Sequence, residues 1–579
     1  MTVAANPFAE ATARSLLDAA AARWGERPAM VFGDARITFA RFRQQAEALA
    51  RGLSALGIEH GDKVAIWLPN RPAWFFAQYA CATIGAIVVA LNPRYKAHEL
   101  TYILGQSDTK ALLLTDHLGG IDYLETLHEA LPGLPAAVPG ELAFEKFRAL
   151  RHIIVDADDP YAGCHRLADI LDLGAGEAGG ARDRRSGTPE SRPQLEERRS
   201  GEWVTEPIAC PSRFTGAEPD DVFAILYTSG TTSFPKGAMI THRNCVPHGW
   251  NIGEALGMTP EDRVLHALPA AGTWGGVNIP LTTWSHGACL VLMDVWDPLR
   301  ALSLIEREGC TVWNAVDTMV KGVLEHPDLD RYDRSSLRTG GLGSTGGGAH
   351  GLFEAFVERI GVRLGYEPYG MTEINAMAML HHLDEPLALR KLPGINPAPG
   401  LEVRVVHPDT GEPCAPGQEG ELQFRGPLVT RGYYQKPEET TAAFTADGWF
   451  RSGDLGVGDR DGHTIFKGRL RETLRISHFM VAPGEIEAFL MSHPQIEQAF
   501  VVGVPDPKLN EAPVAYVIAA EGSRLTEDEL RAFCRGKIAS YKIPTAVRFV
   551  KDVPRAPGPH GDKVQRAKLR TQAIKEVTP

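Results

Sequence analysis

The chain has 579 residues, too many for a single compact core, which predicts several domains or subdomains. Its content of 44% hydrophobic and 23% charged residues is ordinary for a soluble globular protein. The formal net charge is -12 with Lys and Arg spread along the chain, which argues against nucleic acid as a partner but leaves room for a local phosphate site.

The opening run MTVAANPFAEATARSL has no basic segment followed by an apolar one, so a secretory leader is not expected and a cytoplasmic location is. Thr38 is placed to cap a helix in which Phe42, Ala46, Leu49, Leu53 and Leu56 recur at helical spacing, and Gly57 ends it. Val64 to Leu68 follows as an apolar strand. The most apolar stretch, Phe75 to Leu91, is interrupted by Gln78, Tyr79, Thr83 and Gly85 and is short for a membrane span. It predicts a core helix running into a buried strand, and no transmembrane segment. Ala111 to Leu114 and Ala288 to Met293 continue the alternation, which predicts an α/β architecture with largely buried sheets. Eight cysteines (Cys81, Cys164, Cys210, Cys245, Cys289, Cys310, Cys414 and Cys534) stand far apart, without metal-ligand or redox spacing. A reduced compartment and mostly buried thiols are expected.

Residues 174–201 are rich in Gly, Arg, Glu, Ser and Pro with almost nothing to bury, and predict a flexible surface insert. After Gly468 the pattern changes to a helix at Glu485 to Ser492, strands at Ala499 to Val504 and Val514 to Ala519, and a further helix opened by the capping box of Thr526 with Glu529. This reads as a small α+β unit of about a hundred residues, large enough to be its own domain.

The strongest local signal is Tyr227-Thr-Ser-Gly-Thr-Thr-Ser-Phe-Pro-Lys-Gly237, fed by the apolar run Val222 to Leu226. Gly230 lets backbone N–H groups approach an anion closely, Thr228, Ser229, Thr231 and Thr232 add hydroxyl donors, and Lys236 adds a positive charge. It is not the GxxxxGK[ST] pattern of P-loop NTPases. Taken alone, the segment reads equally as a phosphate cradle and as a turn rich in Ser and Thr.

Four more segments follow in order: Tyr369-Gly-Met-Thr-Glu373, Trp449-Phe-Arg-Ser-Gly-Asp-Leu455, Gly468-Arg-Leu-Arg-Glu472 and Lys563-Val-Gln-Arg-Ala-Lys-Leu-Arg570. Together the five resemble the adenylate-forming superfamily of acyl-CoA synthetases, peptide-synthetase adenylation domains and beetle luciferases, from about Leu16 to Arg570. The style is most similar to medium- and long-chain acyl-CoA synthetases and aryl-CoA ligases. The resemblance implies a large α/β N-terminal AMP-binding domain of packed sheets and helices, residues 1–468. A small mobile α+β C-terminal lid, residues 469–579, would be hinged near Arg471.

The resemblance also implies roles. Thr228, Ser229, Gly230, Thr231, Thr232 and Lys236 would hold the β- and γ-phosphates of ATP. Gly370 and Thr372 would border the α-phosphate, and Glu373, with Thr228, would hold Mg²⁺, an ion suited to hard oxygen donors. Tyr369 would stack on adenine in a slot lined by Gly348 and Ala349. Asp454 would accept both ribose hydroxyls, a bidentate task suited to a carboxylate, and Arg469 would contact ribose and phosphate oxygens. Lys563 would steady the transition state, because attack of a carboxylate on a phosphate brings two anions together. On the lid's other face, Ser477, His478 and Phe479 would lie beside coenzyme A.

Departures from the family pattern are Ser233 for a usual Gly, Gly272 after Pro269-Ala-Ala in place of a usual His, and Asp317 for a usual Pro. The others are His478 for a usual Gly, Arg471 at the hinge, and Asp562 inserted before Lys563. The implied reaction is that of an acid–thiol ligase. A hydrophobic carboxylate and ATP give acyl-AMP and pyrophosphate, and the thiol of coenzyme A then displaces AMP, in the setting of fatty acid metabolism. The alternative, favoured by His478, sends the acyl group to an amine or a carrier-protein thiol. The identity of the acid stays open, and so does a homodimer.

Overall fold

The computed structural model describes residues 6–176, 216–228, 235–343, 352–476, 479–506, 510–535, 537–538, 540–556 and 563–577. They gather into two compact units. The first comprises Met1–Glu254, Met258–Trp296 and Thr430–Pro437, and the second Ala255–Gly257, Asp297–Val429 and Glu438–Pro579.

In the first unit the Thr38 hydroxyl accepts from Arg41 N and opens the helix Phe39–Ala55, whose Phe42, Ala46, Leu49 and Leu53 are buried as their spacing predicts. The helix Pro72–Ile84 ends at Gly85 in the left-handed region (φ 72°), and the strand Ile87–Ala90 follows, so the apolar run is a core helix feeding a buried strand. Glycine suits that turn because left-handed backbone strains residues with a Cβ, and a Cβ there would also lie 2.2 Å from the His60 ring unless that ring moved. The main sheet runs in the order Lys236–Thr241, Val222–Thr228, Ile87–Ala90, Lys63–Trp67, Thr109–Thr115, His152–Asp156, His165–Arg166. It is parallel apart from its first pair. A second group of strands pairs Arg263–His266 with Cys289–Leu292 and the latter with Pro28–Phe32 in parallel, with Ala35–Thr38 antiparallel at the edge. Between the sheets Trp284 meets Phe42, Phe75 and Tyr79 at ring-centroid distances of 4.7, 5.2 and 5.4 Å, and its indole N–H donates to Ala29 O.

In the second unit the strand Thr339–Gly343 pairs in parallel with Val312–Trp313, Ala315–Val316 and Leu364–Tyr366. An antiparallel sheet follows in the order Glu402–Val406, Glu419–Arg425, Phe450–Gly458, Thr464–Arg469. A third sheet is built on the long pair Ile496–Asp506 and Asn510–Ala519. Its side chains alternate between two cores, as strand geometry demands. Val501, Ala515 and Val517 pack with the helices Pro483–Met491 and Glu527–Cys534, and Val502, Val504, Val514 and Tyr516 pack with Leu569 and Ala573 of the helix Arg566–Val577. The capping box of Thr526 and Glu529 is present in both directions.

The predicted insert begins later than its composition indicates. The helix Leu167–Gly176 runs three residues into it, because Gly174 O accepts from Arg51 Nε at 2.7 Å and Leu167 and Ile170 are buried. Residues 177–201 lie outside the described residues. Cys81, Cys245, Cys289, Cys310 and Cys534 are buried, and Cys164 and Cys414 partly so. Among the described residues no helix is long and apolar enough to cross a membrane.

Two histidines of the first unit are held neutral by burial. His242, whose Nδ1 accepts from Ala13 N at 3.1 Å, is pushed down to about 4. His266, with neither ring nitrogen hydrogen-bonded, is pushed down to about 3. Both ionise more readily in the unfolded chain, near the ordinary value of about 6.5. The unfolded state therefore binds more protons below that pH, and stability should fall steadily as the pH drops from about 6.5 to about 4. Urea unfolding at a series of pH values should show this slope, and His266→Met should flatten part of it.

Candidate functional site

The second unit brings together Tyr369, Gly370, Glu373, Asp454 and Arg469 by local devices. Tyr369 forms a single antiparallel bridge with Met379, and Gly370 follows where a Cβ would lie 1.9 Å from Ala376 O, so only glycine lets the two backbones approach. The 3₁₀ turn Thr372–Ile374 comes next. Behind it Asn375 and Ala376 hold left-handed backbone (φ 61° and 49°), tied by hydrogen bonds from Asn375 N to Thr372 O and from Ala376 N to Met371 O. Glu373 is 5% exposed.

Asp454 and Arg469 are 15 positions apart in sequence, but the antiparallel register of Phe450–Gly458 and Thr464–Arg469 sets them directly opposite each other. The loop that joins these strands is closed by Asp459, whose Oδ1 accepts from Asp461 N and His463 N. Asp454 is 1% exposed. Its Oδ2 accepts from the Tyr369 hydroxyl at 2.7 Å. Arg469 Nη1 lies 2.8 Å from Oδ1, a close ion pair without the alignment of a directed hydrogen bond. Burial pushes the Asp454 carboxyl up to about 6, opposed first by the charge of Arg469 and then by the Tyr369 hydrogen bond, while Glu373 adds a repulsive push. Ser452 anchors the turn, accepting from Asp454 N and donating to Leu422 O.

The Tyr369 ring lies against Phe466 and Phe424, with centroids 5.0 and 6.0 Å away and interplanar angles of 30° and 23°. Neither phenylalanine is singled out by the motifs. Their only signal in sequence is alternation along two strands, since Phe466 precedes Arg469 by three residues and Phe424 sits on the neighbouring strand Glu419–Arg425.

In the first unit Thr228 and Lys236 face each other at the loop end of the hairpin formed by Val222–Thr228 and Lys236–Thr241. The Thr228 hydroxyl donates to Lys236 O at 3.4 Å. Lys236 Nζ lies 4.4 Å from the Tyr433 ring centroid, a cation–π contact that orients the ammonium group. Tyr102 donates to Pro235 O, and Tyr434 N to Gly237 O, so helix and loop neighbours brace both sides of the hairpin. Tyr433 is a third neighbour, after Phe424 and Phe466, that the motifs leave out.

Ser229, Gly230, Thr231, Thr232, Ser233, Gly348, Ala349, Ser477, His478 and Asp562 lie outside the described residues. Phe479 opens the strand Phe479–Val481, and the backbone of Lys563 pairs with Ala556 in a two-residue ladder. Gly272 N donates to Pro269 O, closing the turn that leads into the π-helical turn Trp274–Asn278. Asp317 opens the helix Asp317–Leu324 and accepts from Thr318 N, a favourable place for a carboxylate at a helix start.

Removal of one partner leaves Asp454 buried and uncompensated. Arg469 is 43% exposed, so Arg469→Met should cost about 1–2 kcal/mol, less than a fully buried pair would. Without Arg469 the carboxyl should ionise above its present value of about 6, so the loss should be largest at alkaline pH and be gone below about 6, where the carboxyl is protonated in both chains. Urea unfolding of the variant at pH 7.5 and at pH 5 measures both parts.

The family model described as AMP-binding enzyme matches residues 17–434, and that described as AMP-binding enzyme C-terminal domain matches residues 485–557. YngI of Bacillus subtilis (strain 168), which carries the name of an acyl-CoA synthetase, is 35% identical over 561 residues, 96% of each chain. The mitochondrial medium-chain acyl-CoA ligase ACSF2 of Danio rerio is 30% identical over 585 residues, 99% of this chain and 90% of that one. Among solved structures, ATP-bound MatB from Rhodopseudomonas palustris superposes with a TM-score of 0.76 at 25% identity, covering 97% of this chain and 99% of that chain.

Proposed function

The chain belongs to the AMP-binding enzyme family, and from that premise we propose that it activates a hydrophobic carboxylic acid with ATP and passes the acyl group to coenzyme A. The observation that carries the nucleotide half of this reading is the buried Asp454 carboxylate held between Tyr369 and Arg469. Such a carboxylate, ionised and fixed by its neighbours, offers two acceptor oxygens to a vicinal diol, which is what a ribose presents. The thioester half is supported by the names of the relatives, an acyl-CoA synthetase and an acyl-CoA ligase.

In this mechanism Tyr369 provides the aromatic face for adenine, Asp454 the acceptors for ribose, and Arg469 a guanidinium for ribose and phosphate oxygens. Residues Thr228 to Lys236 hold the outer phosphates. The acid's carboxylate attacks the α-phosphorus, pyrophosphate leaves, and Lys563 neutralises the charge that accumulates between the two anions. Magnesium suits Glu373, a buried carboxylate and a hard oxygen donor, which would hold it. When bound it offsets phosphate charge. Residues 469–579 then swing about Arg471, removing Lys563 and presenting Ser477 to Phe479, so that the thiol of coenzyme A can displace AMP.

A pyrophosphate-release screen across aliphatic, aromatic and cyclic acids, with and without coenzyme A, tests the reading. Acid-dependent release and an acyl-CoA product are expected, and turnover that ignores coenzyme A but needs an amine would overturn the thioester half. Lys563→Ala should lower adenylation by roughly a hundredfold or more while sparing thiolysis of supplied acyl-AMP. The pH dependence is equally specific. The Asp454 carboxyl ionises near pH 6, so ATP affinity should weaken as the pH falls through that value. Asp454→Asn should bind ATP weakly at every pH and lose the dependence, as read by calorimetric titration.

A further inference from the structure

Three residues beyond Lys563, at the first turn of the helix Arg566–Val577, one guanidinium ties three segments of the chain together. Arg566 grips Glu487 of the helix Pro483–Met491 with both terminal nitrogens, Nη2 at 2.9 Å from Oε2 and Nη1 on Oε1. The same Glu487 Oε1 accepts from Val501 N at 2.7 Å, and Arg566 Nη1 donates to Val501 O at 3.2 Å. The remaining nitrogen, Nε, lies 3.1 Å from Glu472 Oε2. Glu472 ends the 3₁₀ turn Leu470–Glu472 that directly follows Arg469. The side chains are 12% (Arg566), 6% (Glu487) and 30% (Glu472) exposed, so the cluster is far better shielded than a surface ion pair.

The two carboxylates do different work. The fork on Glu487 closes on the strand Ile496–Asp506 and helps fix the helix to its own core, where Leu569 and Ala573 are buried. Glu472 belongs to neither that core nor that helix. Its turn hangs from Arg469, whose carbonyl accepts from both Thr473 N and Thr473 Oγ1. Burial alone would lower the Arg469 pKa, but Asp454 first, and Glu472 among others, hold it above its ordinary value. Glu472 therefore pairs with the Arg566 guanidinium, three residues after the proposed catalytic lysine, and adds only a distant charge to Arg469. Among the described residues, the Lys563–Val564 strand is also held by its two-residue ladder with Arg555–Ala556, by Gln565 N donating to Pro554 O at 2.8 Å, and by Val564, which packs against the core that holds Leu569.

We infer that Glu472 is a positioning residue: through Arg566 it braces the Lys563 segment against the turn that leaves the nucleotide site, so that Lys563 arrives at the α-phosphate in register. This rests on the reading of Lys563 and of the hinge given above. Because Glu472 follows the hinge, the brace travels with residues 469–579 and need not break when they rotate.

Glu472 is the residue to change, since its loss leaves the Arg566–Glu487 fork intact, whereas loss of Arg566 would strand a buried carboxylate. In the full-length chain, Glu472→Ala should speed hydrogen exchange at the Gln565 amide at least tenfold while leaving the Leu530 amide, in the separate core, unchanged. With octanoate as the probe acid, the same variant should lower the rate of pyrophosphate formation roughly ten- to a hundredfold, with the KM for ATP and the thiolysis of supplied octanoyl-AMP unchanged. Glu472→Gln, which keeps an acceptor oxygen for Nε but not the charge, should fall between. Unchanged exchange at Gln565, or an equal loss of adenylation and thiolysis, would overturn the brace. Lys563→Ala run alongside separates the two readings. If it leaves pyrophosphate formation intact, the lysine assignment fails by itself, and the exchange measurement still decides whether Glu472 holds the segment.

Discussion

A buried anion must be given back, by fixed donors and cations, the stabilisation that water supplied, and Asp454 is such an anion. One oxygen receives the Tyr369 hydroxyl and the other faces Arg469. Much of the surrounding architecture is what makes that compensation possible. The antiparallel register sets Arg469 opposite Asp454, Ser452 holds the strand backbone, and Gly370 lets the Tyr369 segment lie against the Ala376 carbonyl. The compensation is incomplete, since the carboxyl stays raised to about 6. A fully satisfied carboxylate would have no capacity left for a ligand. One with an oxygen still lacking a directed hydrogen bond is poised to accept more.

The C-terminal sheet solves a different problem with the same economy of means. The pair Ile496–Asp506 and Asn510–Ala519 has apolar residues on both faces, so it needs cover on both. Helices supply it on each side. The Lys563 strand lies at the margin of this arrangement, just before the helix whose Leu569 and Ala573 complete one of the two cores. Hydrophobic burial thus positions the helix and Val564 just before it, and ion pairs at the helix's first turn add to that hold. Ion pairs are directional where apolar contacts are not, so the two kinds of contact fix different aspects of the same helix start.

The departures from the family pattern divide by physical kind. Asp317 is absorbed locally as a helix-start carboxylate, and Gly272 closes a turn on Pro269 O. Both lie in well-formed backbone, so they alter which groups are presented without disturbing the fold. His478 and Asp562 lie outside the described residues.

Local chemistry was legible in the sequence alone. The Thr38 cap, the helix-to-strand passage through Gly85, the capping box at Thr526 and the C-terminal strands at Ala499–Val504 and Val514–Ala519 all follow from interactions within a few residues or from a simple periodicity. Five ordered motifs named the family, because such motifs record the chemistry of a site more faithfully than its shape. Composition misjudged where the Gly-rich segment begins, since it cannot register a hydrogen bond from Arg51 to a carbonyl 123 positions away. What only the tertiary structure decided is pairing across distance: Asp454 with Tyr369, Tyr369 with Phe424 and Phe466, Lys236 with Tyr433, and Arg566 with Glu472 and Glu487. A sequence states which charges and rings exist, whereas register and packing decide which of them meet, and the energy of a charge depends on what it meets.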